Sequence, residues 1–212
     1  MEVESIFTEG RWNIISELAH SPKSPSQLAK NTKTSLANIS IQMRLLEALD
    51  FVEQEKQTDP LSSARKIYSL KKPICYLTLA SRFAIGKRMI PVTDESLAYF
   101  TAWLIKEENA PQLVIKVLSN HDDLMSSDSI CYISLKNDIL ELLAVSREKT
   151  GFCDFTVRCQ DKTCSVKIHS FSRTEFSDRF SNKEDFVISL VRKALVLKDH
   201  DKYLTDLKRG GK

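Results

Sequence analysis

The chain has 212 residues, 42% hydrophobic and 28% charged, with only five glycines and a net charge of +3; this describes a folded, helix-rich, soluble protein of one large domain or two small ones. No apolar run approaches the roughly 18 residues that span a bilayer, and "MEVESIFTEG" lacks the apolar segment of a secretory leader. Five cysteines without a C-x-x-C pair argue against a secreted disulfide framework, so a cytoplasmic protein with no membrane partner is expected.

In "RWNIISELAH", Trp12, Ile15, Leu18 and Ala19 recur at three- and four-residue spacing and predict a helix that ends before Pro22. "SPSQLAK" opens a second, short helix, with Ser24 as its cap, Pro25 in its first turn and Gln27 at the capping-box position. Ser35 caps a third helix from about Leu36 to Leu49. Its stripe Leu36, Ile39, Met43 and Leu46 faces the first two helices. Asn38, Ser40, Ile41, Gln42 and Arg44 remain around its other faces. Amide side chains pair bidentately with adenine and arginine with guanine, so this polar set suits base edges in a major groove. "FVEQEK" and "RKIYSL" then predict two strands joined by the polar loop "QTDPLSSA".

Charge is unevenly spread. Residues 1–92 carry 13 Lys/Arg against 9 Asp/Glu, and residues 93–212 carry 18 against 19. Residues 56–92 hold eight basic residues and one acid, Asp59. A basic ribbon beside a candidate reading helix is what phosphate binding requires. A winged helix-turn-helix over residues 1–92 is therefore expected to bind double-stranded DNA through Ser35, Asn38, Ser40, Gln42, Arg44, Lys56, Arg65 and Lys66.

The residues "SLANISIQMRLLEALDFVEQEK...ARKIYSL" resemble the ArsR-type winged-helix regulators. Ile39-Ser40, Gln42-Met43, Leu46-Glu47, Phe51-Val52 and Tyr68-Ser69-Leu70 occupy the family's pattern positions. Asp50-Phe51 replaces its usual Gly-Leu, and Ile41 stands where a polar residue is common. "KKPICYLTLASRFAIGKRMI" is similar to the segment that follows the wing in archaeal members. The resemblance covers about residues 7–92 and implies a transcriptional regulator, of repressor type. It implies no metal sensing, because the third helix carries no cysteine pair.

Pro91 and a Thr93-Asp94 cap mark a junction to a second domain, residues 93–212. Its first helix carries Leu97, Phe100, Trp103 and Leu104 as one apolar face, the expected homodimer interface; "PQLVIKVLSN" predicts the next. "SICYISL", "DILELLAVS", "FCDFTVRCQ" and "CSVKIHSF" predict strands, and "KEDFVISLVRKALVLKD" a closing helix. The class is α+β, with an α/β C-terminal domain built on a small sheet covered by helices.

Cys153, Cys159 and Cys164 fall on apolar strand faces, where free cysteine packs as a small hydrophobe. Cys159 and Cys164 are expected to face each other across a hairpin, as reduced, buried thiols. "NHDD" at 120–123 reads as a cap and "KDHD" at 198–201 as a solvated end, with no metal-ligand spacing.

The run "ELLAVSREK...CSVKIHSFSRTEFSDRFSNKEDFVISLVRKALVLKDHDKYL" is similar to small nucleotidyltransferase-fold domains over about residues 130–204. That resemblance implies a Gly-Ser motif and two carboxylates two residues apart to hold metal ions. Here that register falls on Ile139 and Glu141, with Asp138 out of phase, and no glycine lies between Gly86 and Gly151. A degenerate domain without catalysis, metal or cofactor is expected. The competing readings are an active metal-dependent nucleotidyltransferase using Asp138 and Glu141, and a protein-interaction module that binds no DNA.

Overall fold

A computed structural model describes residues 7–57, 65–148, 151–152, 154–159 and 162–210, with backbone alone at 56, 57, 65, 162, 209 and 210. The fold is α+β, and the chain divides into two compact units, Met1–Val92 and Thr93–Lys212. No helix among the described residues is long and apolar enough to cross a membrane.

The first unit begins with α1 (Glu9–His20), α2 (Pro25–Asn31) and α3 (Leu36–Ala48). Local chemistry sets these boundaries. The Ser24 hydroxyl accepts from the Gln27 amide while the Gln27 side chain accepts from the Ser24 amide, a complete capping box. Ser35 accepts from the Asn38 amide at 3.1 Å and starts α3. Ile14, Ile15 and Leu18 of α1 pack with Leu28, Ile39, Met43 and Leu46 into one core.

Three residues of the expected stripes lie outside it, among them Ala19, which is exposed at the end of α1. Trp12 is 48% exposed and Leu36 51% exposed. Trp12 sits edge-on to Phe7 at 6.0 Å, and Leu36 is the first residue of α3, about 60° around the helix from the buried Ile39. After α3, Asp50 takes a left-handed φ of 59°, the conformation that favours glycine. Its carboxylate is held by Lys71 at 2.5 Å and Lys72 at 3.0 Å. Two cations of the basic block are thus paired within the unit.

Strands β1 (Val52–Gln57) and β2 (Arg65–Leu70) form an antiparallel hairpin. Lys23, between α1 and α2, exchanges two 2.9 Å backbone hydrogen bonds with Tyr68, which fastens the hairpin to the helices. A second antiparallel hairpin follows, β3 (Cys75–Ala80) and β4 (Ile85–Ile90).

The second unit is a five-stranded mixed sheet, β5 (Ser129–Lys136), β6 (Ile139–Ser146), β7 (Phe155–Cys159), β8 (Lys162–Ser172) and β9 (Leu195–Asp199), in the order β7-β8-β6-β5-β9. Only β6 and β8 run parallel. One face carries Ile130, Tyr132, Leu140, Leu142, Val166 and Leu197 against α4 (Asp94–Ala102), α5 (Ala110–Asn120) and α6 (Asp122–Met125). The other carries Cys131, Ile133, Leu143 and Val145 against α7 (Arg173–Ser181), α8 (Asp185–Lys193) and α9 (Tyr203–Gly210). Burial on both faces explains why these strands read as nearly continuous apolar runs.

Four expectations for this unit are corrected. The closing segment is not one helix, because α8 stops at Lys193 and Leu195–Asp199 pairs with β5. The buried face of α4 is Ala98 and Ala102, while Trp103 (58% exposed) and Leu104 (73%) lie beyond the end of the helix. Cys159 does not face Cys164: the ladder pairs Cys159 with Lys162 and Val157 with Cys164, so the two cysteines sit two rungs apart. Cys164 is buried and Cys159 half-buried; Cys153 lies outside the described residues. Finally, "KDHD" is a working cap rather than a solvated end. Asp199 accepts from the Leu204 and Thr205 amides at 3.0 and 2.8 Å and starts α9.

Candidate nucleic-acid interface

With about 100° of turn per residue, the core residues Ile39, Met43 and Leu46 leave Ala37, Ile41, Arg44 and Ala48 on the opposite side of α3. All four are exposed, Ile41 by 62%. The outward stripe is therefore small or apolar, with one cation and no acid. This is a face that can enter a groove, since alkyl groups contact the thymine methyl and a guanidinium reads guanine. The residues expected to read DNA are all polar; Ile41 is expected off the core face without that role, and Ala37 is not singled out. The signal was present in their spacing, half a turn away from the core positions.

The expected amide readers sit on one flank. Arg11 Nε donates to Gln42 Oε1 at 2.6 Å, Gln42 Nε2 to Asn38 Oδ1 at 3.2 Å, and Asn38 Nδ2 to Thr34 Oγ1 at 2.9 Å. This chain fixes the orientation of Asn38 and Gln42 before any ligand arrives. Asn38 is exposed and Gln42 half-buried. Ser40, on the other flank, donates its hydroxyl to the Leu36 carbonyl at 2.9 Å. Ser35 is exposed at the helix N-terminus, where backbone N–H groups favour an anion.

The β1–β2 hairpin has two chemically different faces. Strand alternation groups Val52, Gln54 and Lys56 with their partners Leu70, Tyr68 and Lys66, and groups Glu53, Glu55 and Gln57 with Ser69, Ile67 and Arg65. Lys66 is exposed. It shares its face with Tyr68, which is buried, donates to Gln54 Oε1 at 3.2 Å, and lies within the electrostatic reach of Arg44 and Glu47. Burial and Glu47 push the Tyr68 hydroxyl pKa up, so it stays protonated as that donor. Arg44 thus lies within electrostatic reach of Tyr68, whose strand face also carries Lys66. Arg65 is one residue out of phase with Lys66, and the side chains of Lys56 and Arg65 lie outside the described residues. Register alone sets Lys56 opposite Lys66.

In the second unit the carboxylate positions are occupied differently from a metal-holding pair. Asn137 and Asp138 form the two-residue turn between β5 and β6, with φ of 51° and 57°. Ile139 is 43% exposed. Glu141 accepts from Ser134 Oγ at 3.0 Å and lies 3.8 Å from His169. The described residues contain no group of three or more His, Cys, Asp or Glu arranged for a metal. The buried Cys131 thiol is pushed up to about 12 by desolvation, which keeps it protonated and unreactive.

The chain matches no model of a known protein family, and no curated protein sequence matches it.

Proposed function

We propose that residues 1–92 are a winged helix-turn-helix of the ArsR-like kind, and that the chain is a sequence-specific regulator of transcription, of repressor type, acting on double-stranded DNA. The observation that carries this reading is the exposed outward stripe of α3, with its single cation Arg44 and no acid, in a unit whose β1–β2 hairpin also exposes Lys66. In this reading Ala37, Ile41 and Arg44 face base edges, and the fixed amides of Asn38 and Gln42 flank them with Ser40. Ser35, Lys56, Arg65 and Lys66 hold phosphates. Replacing Lys66 with alanine lowers affinity on every DNA sequence and reduces the slope of log K against log salt by about one unit. Titration at several salt concentrations measures this, and an unchanged slope would remove Lys66 from the interface.

The second unit, in this reading, is a degenerate nucleotidyltransferase-like domain that serves sensing and assembly rather than catalysis. Supporting this, Asp138 is a turn residue and Glu141 is engaged by Ser134. Incubation with labelled nucleoside triphosphates and Mg²⁺ yields no incorporation; label transfer abolished by Glu141→Ala would overturn the reading.

We also propose a homodimer, because two-fold symmetry lets two winged helices read paired half-sites. Trp103 and Leu104, exposed by 58% and 73%, offer the apolar contact. Light scattering at micromolar protein gives a dimer mass that the double variant Trp103→Ser, Leu104→Ser reduces to that of a monomer. A monomer mass for the unaltered protein, free and on DNA, would rule the dimer out.

A further inference from the structure

The β3–β4 hairpin takes no part in the interface described above, and its outer half, residues 77–88, is exposed throughout. Its base is anchored: Tyr76 lies 4.9 Å from Phe7, and Met89 packs against the core. Beyond these residues, four rungs from Leu77↔Arg88 to Ala80↔Ile85 project as a ribbon with both faces exposed, about 10 Å of ladder before the turn. Leu77 is 49% exposed, Leu79 47%, Ile85 88% and Phe83, at the tip, 98%.

The turn that presents Phe83 is ordered by its own hydrogen bonds. Ser81 N donates to the Ala84 carbonyl at 2.8 Å. Ser81 Oγ accepts from the Phe83 and Ala84 amides at 3.2 and 3.0 Å. Three amides of the tip are thus bonded locally while the Phe83 ring is exposed to solvent.

Charge chooses the occupant. Arg82 adjoins Phe83, Lys87 and Arg88 follow on β4, and no acid occurs anywhere between Asp59 and Asp94. A symmetric contact between two copies through this ribbon would set these cations against themselves, whereas a polyanion complements them. An apolar wedge flanked by arginine at the end of a narrow two-stranded arm has the chemistry of groove insertion. Such wedges unstack a base step and bend the duplex by about 20–90°, while arginine favours the narrow minor groove of A·T-rich DNA. The arm's projection exceeds the minor groove's depth of about 7.5 Å.

We propose that the β3–β4 hairpin is a second DNA contact that inserts Phe83 between base pairs from the minor groove and bends the duplex, with Arg82 and Arg88 on the flanking backbone. This rests on the reading of residues 1–92 as a DNA-binding domain.

The test uses the full chain and a 30-base-pair A·T-rich duplex. The duplex carries donor and acceptor dyes at its ends and 2-aminopurine at a central TA step. Unaltered protein shortens the end-to-end distance and brightens the 2-aminopurine. Phe83→Ala at saturating concentration leaves the duplex straight and the 2-aminopurine dark, and Phe83→Trp restores both signals. Lys66→Ala weakens binding but keeps the bend once saturated. A duplex that stays straight with unaltered protein bound, or that bends equally with Phe83→Ala, overturns this inference and leaves DNA binding by α3 standing. Failure of the unaltered protein to bind at low salt overturns both. A bend lost together with a fall in mass from dimer to monomer also overturns it, and makes the hairpin a contact between copies.

Discussion

Replacing Phe176 with alanine lowers the stability of the second unit by about 3–5 kcal/mol, the range for emptying a fully buried aromatic site. Phe176 has no exposed surface. Its ring meets Phe171 edge-on at 5.4 Å and lies 6.4 Å from Tyr203, so it joins β8 to α7 and α9. The loss combines the lost burial of the ring with a cavity that the packed neighbours, Phe171 and Tyr203 among them, cannot fill. It is a large fraction of the roughly 5–15 kcal/mol that keeps a domain folded. A denaturant titration followed by near-ultraviolet circular dichroism shows the lowered midpoint with an unchanged slope. Phe176→Leu, which leaves a smaller void, loses less. A loss under about 1 kcal/mol for the alanine variant would place the ring outside the core.

Replacing Arg44 with alanine costs about 1–3 kcal/mol of binding to a selected DNA site, roughly tenfold to a hundredfold, and relaxes preference at one base position. Arg44 is the cation on the outward stripe of α3, and the apolar Ile41 and Ala37 beside it supply no substitute hydrogen bond. Arg44→Lys separates the two roles an arginine can play. Lysine keeps the charge but not the planar fork, so it preserves a phosphate contact and loses base preference. Selection of bound fragments from random DNA, run in parallel with the three proteins, reads both effects. An equal loss for Arg44→Ala on all sequences would make the residue a phosphate contact.

Much of the first unit was legible because its signals are local. Ser24 with Pro25 and Gln27, and Ser35 ahead of Leu36, set helix starts through hydrogen bonds within four residues. The alternation in "VEQEK" and "RKIYSL" gave β1 and β2. The junction at Pro91–Thr93 coincides with a helix cap for the same reason, since the Thr93 hydroxyl accepts from the Ser96 amide at 3.1 Å. Asp50 marks the limit of this kind of reading. A left-handed residue was required there, the sequence offers no glycine, and only the fold brings Lys71 and Lys72 to its carboxylate.

What the sequence determined by itself were the elements whose causes lie within a turn or two of chain: capped helices, alternating strands, and the acid-free stretch from residue 60 to residue 93. The tertiary structure decided what depends on a distant partner. Nothing local stops a helix between Lys193 and Leu195, with neither glycine nor proline there; the free edge of β5 offers unpaired backbone groups, and Leu195–Asp199 becomes a strand by satisfying them. Trp103 and Phe83 belong to the same class. Periodicity can say that a residue is apolar, but whether another element arrives to cover it is settled by packing. In the second unit the core closes over Ala98 and Ala102 and leaves Trp103 exposed, and in the first unit Phe83 is exposed at the tip of its hairpin.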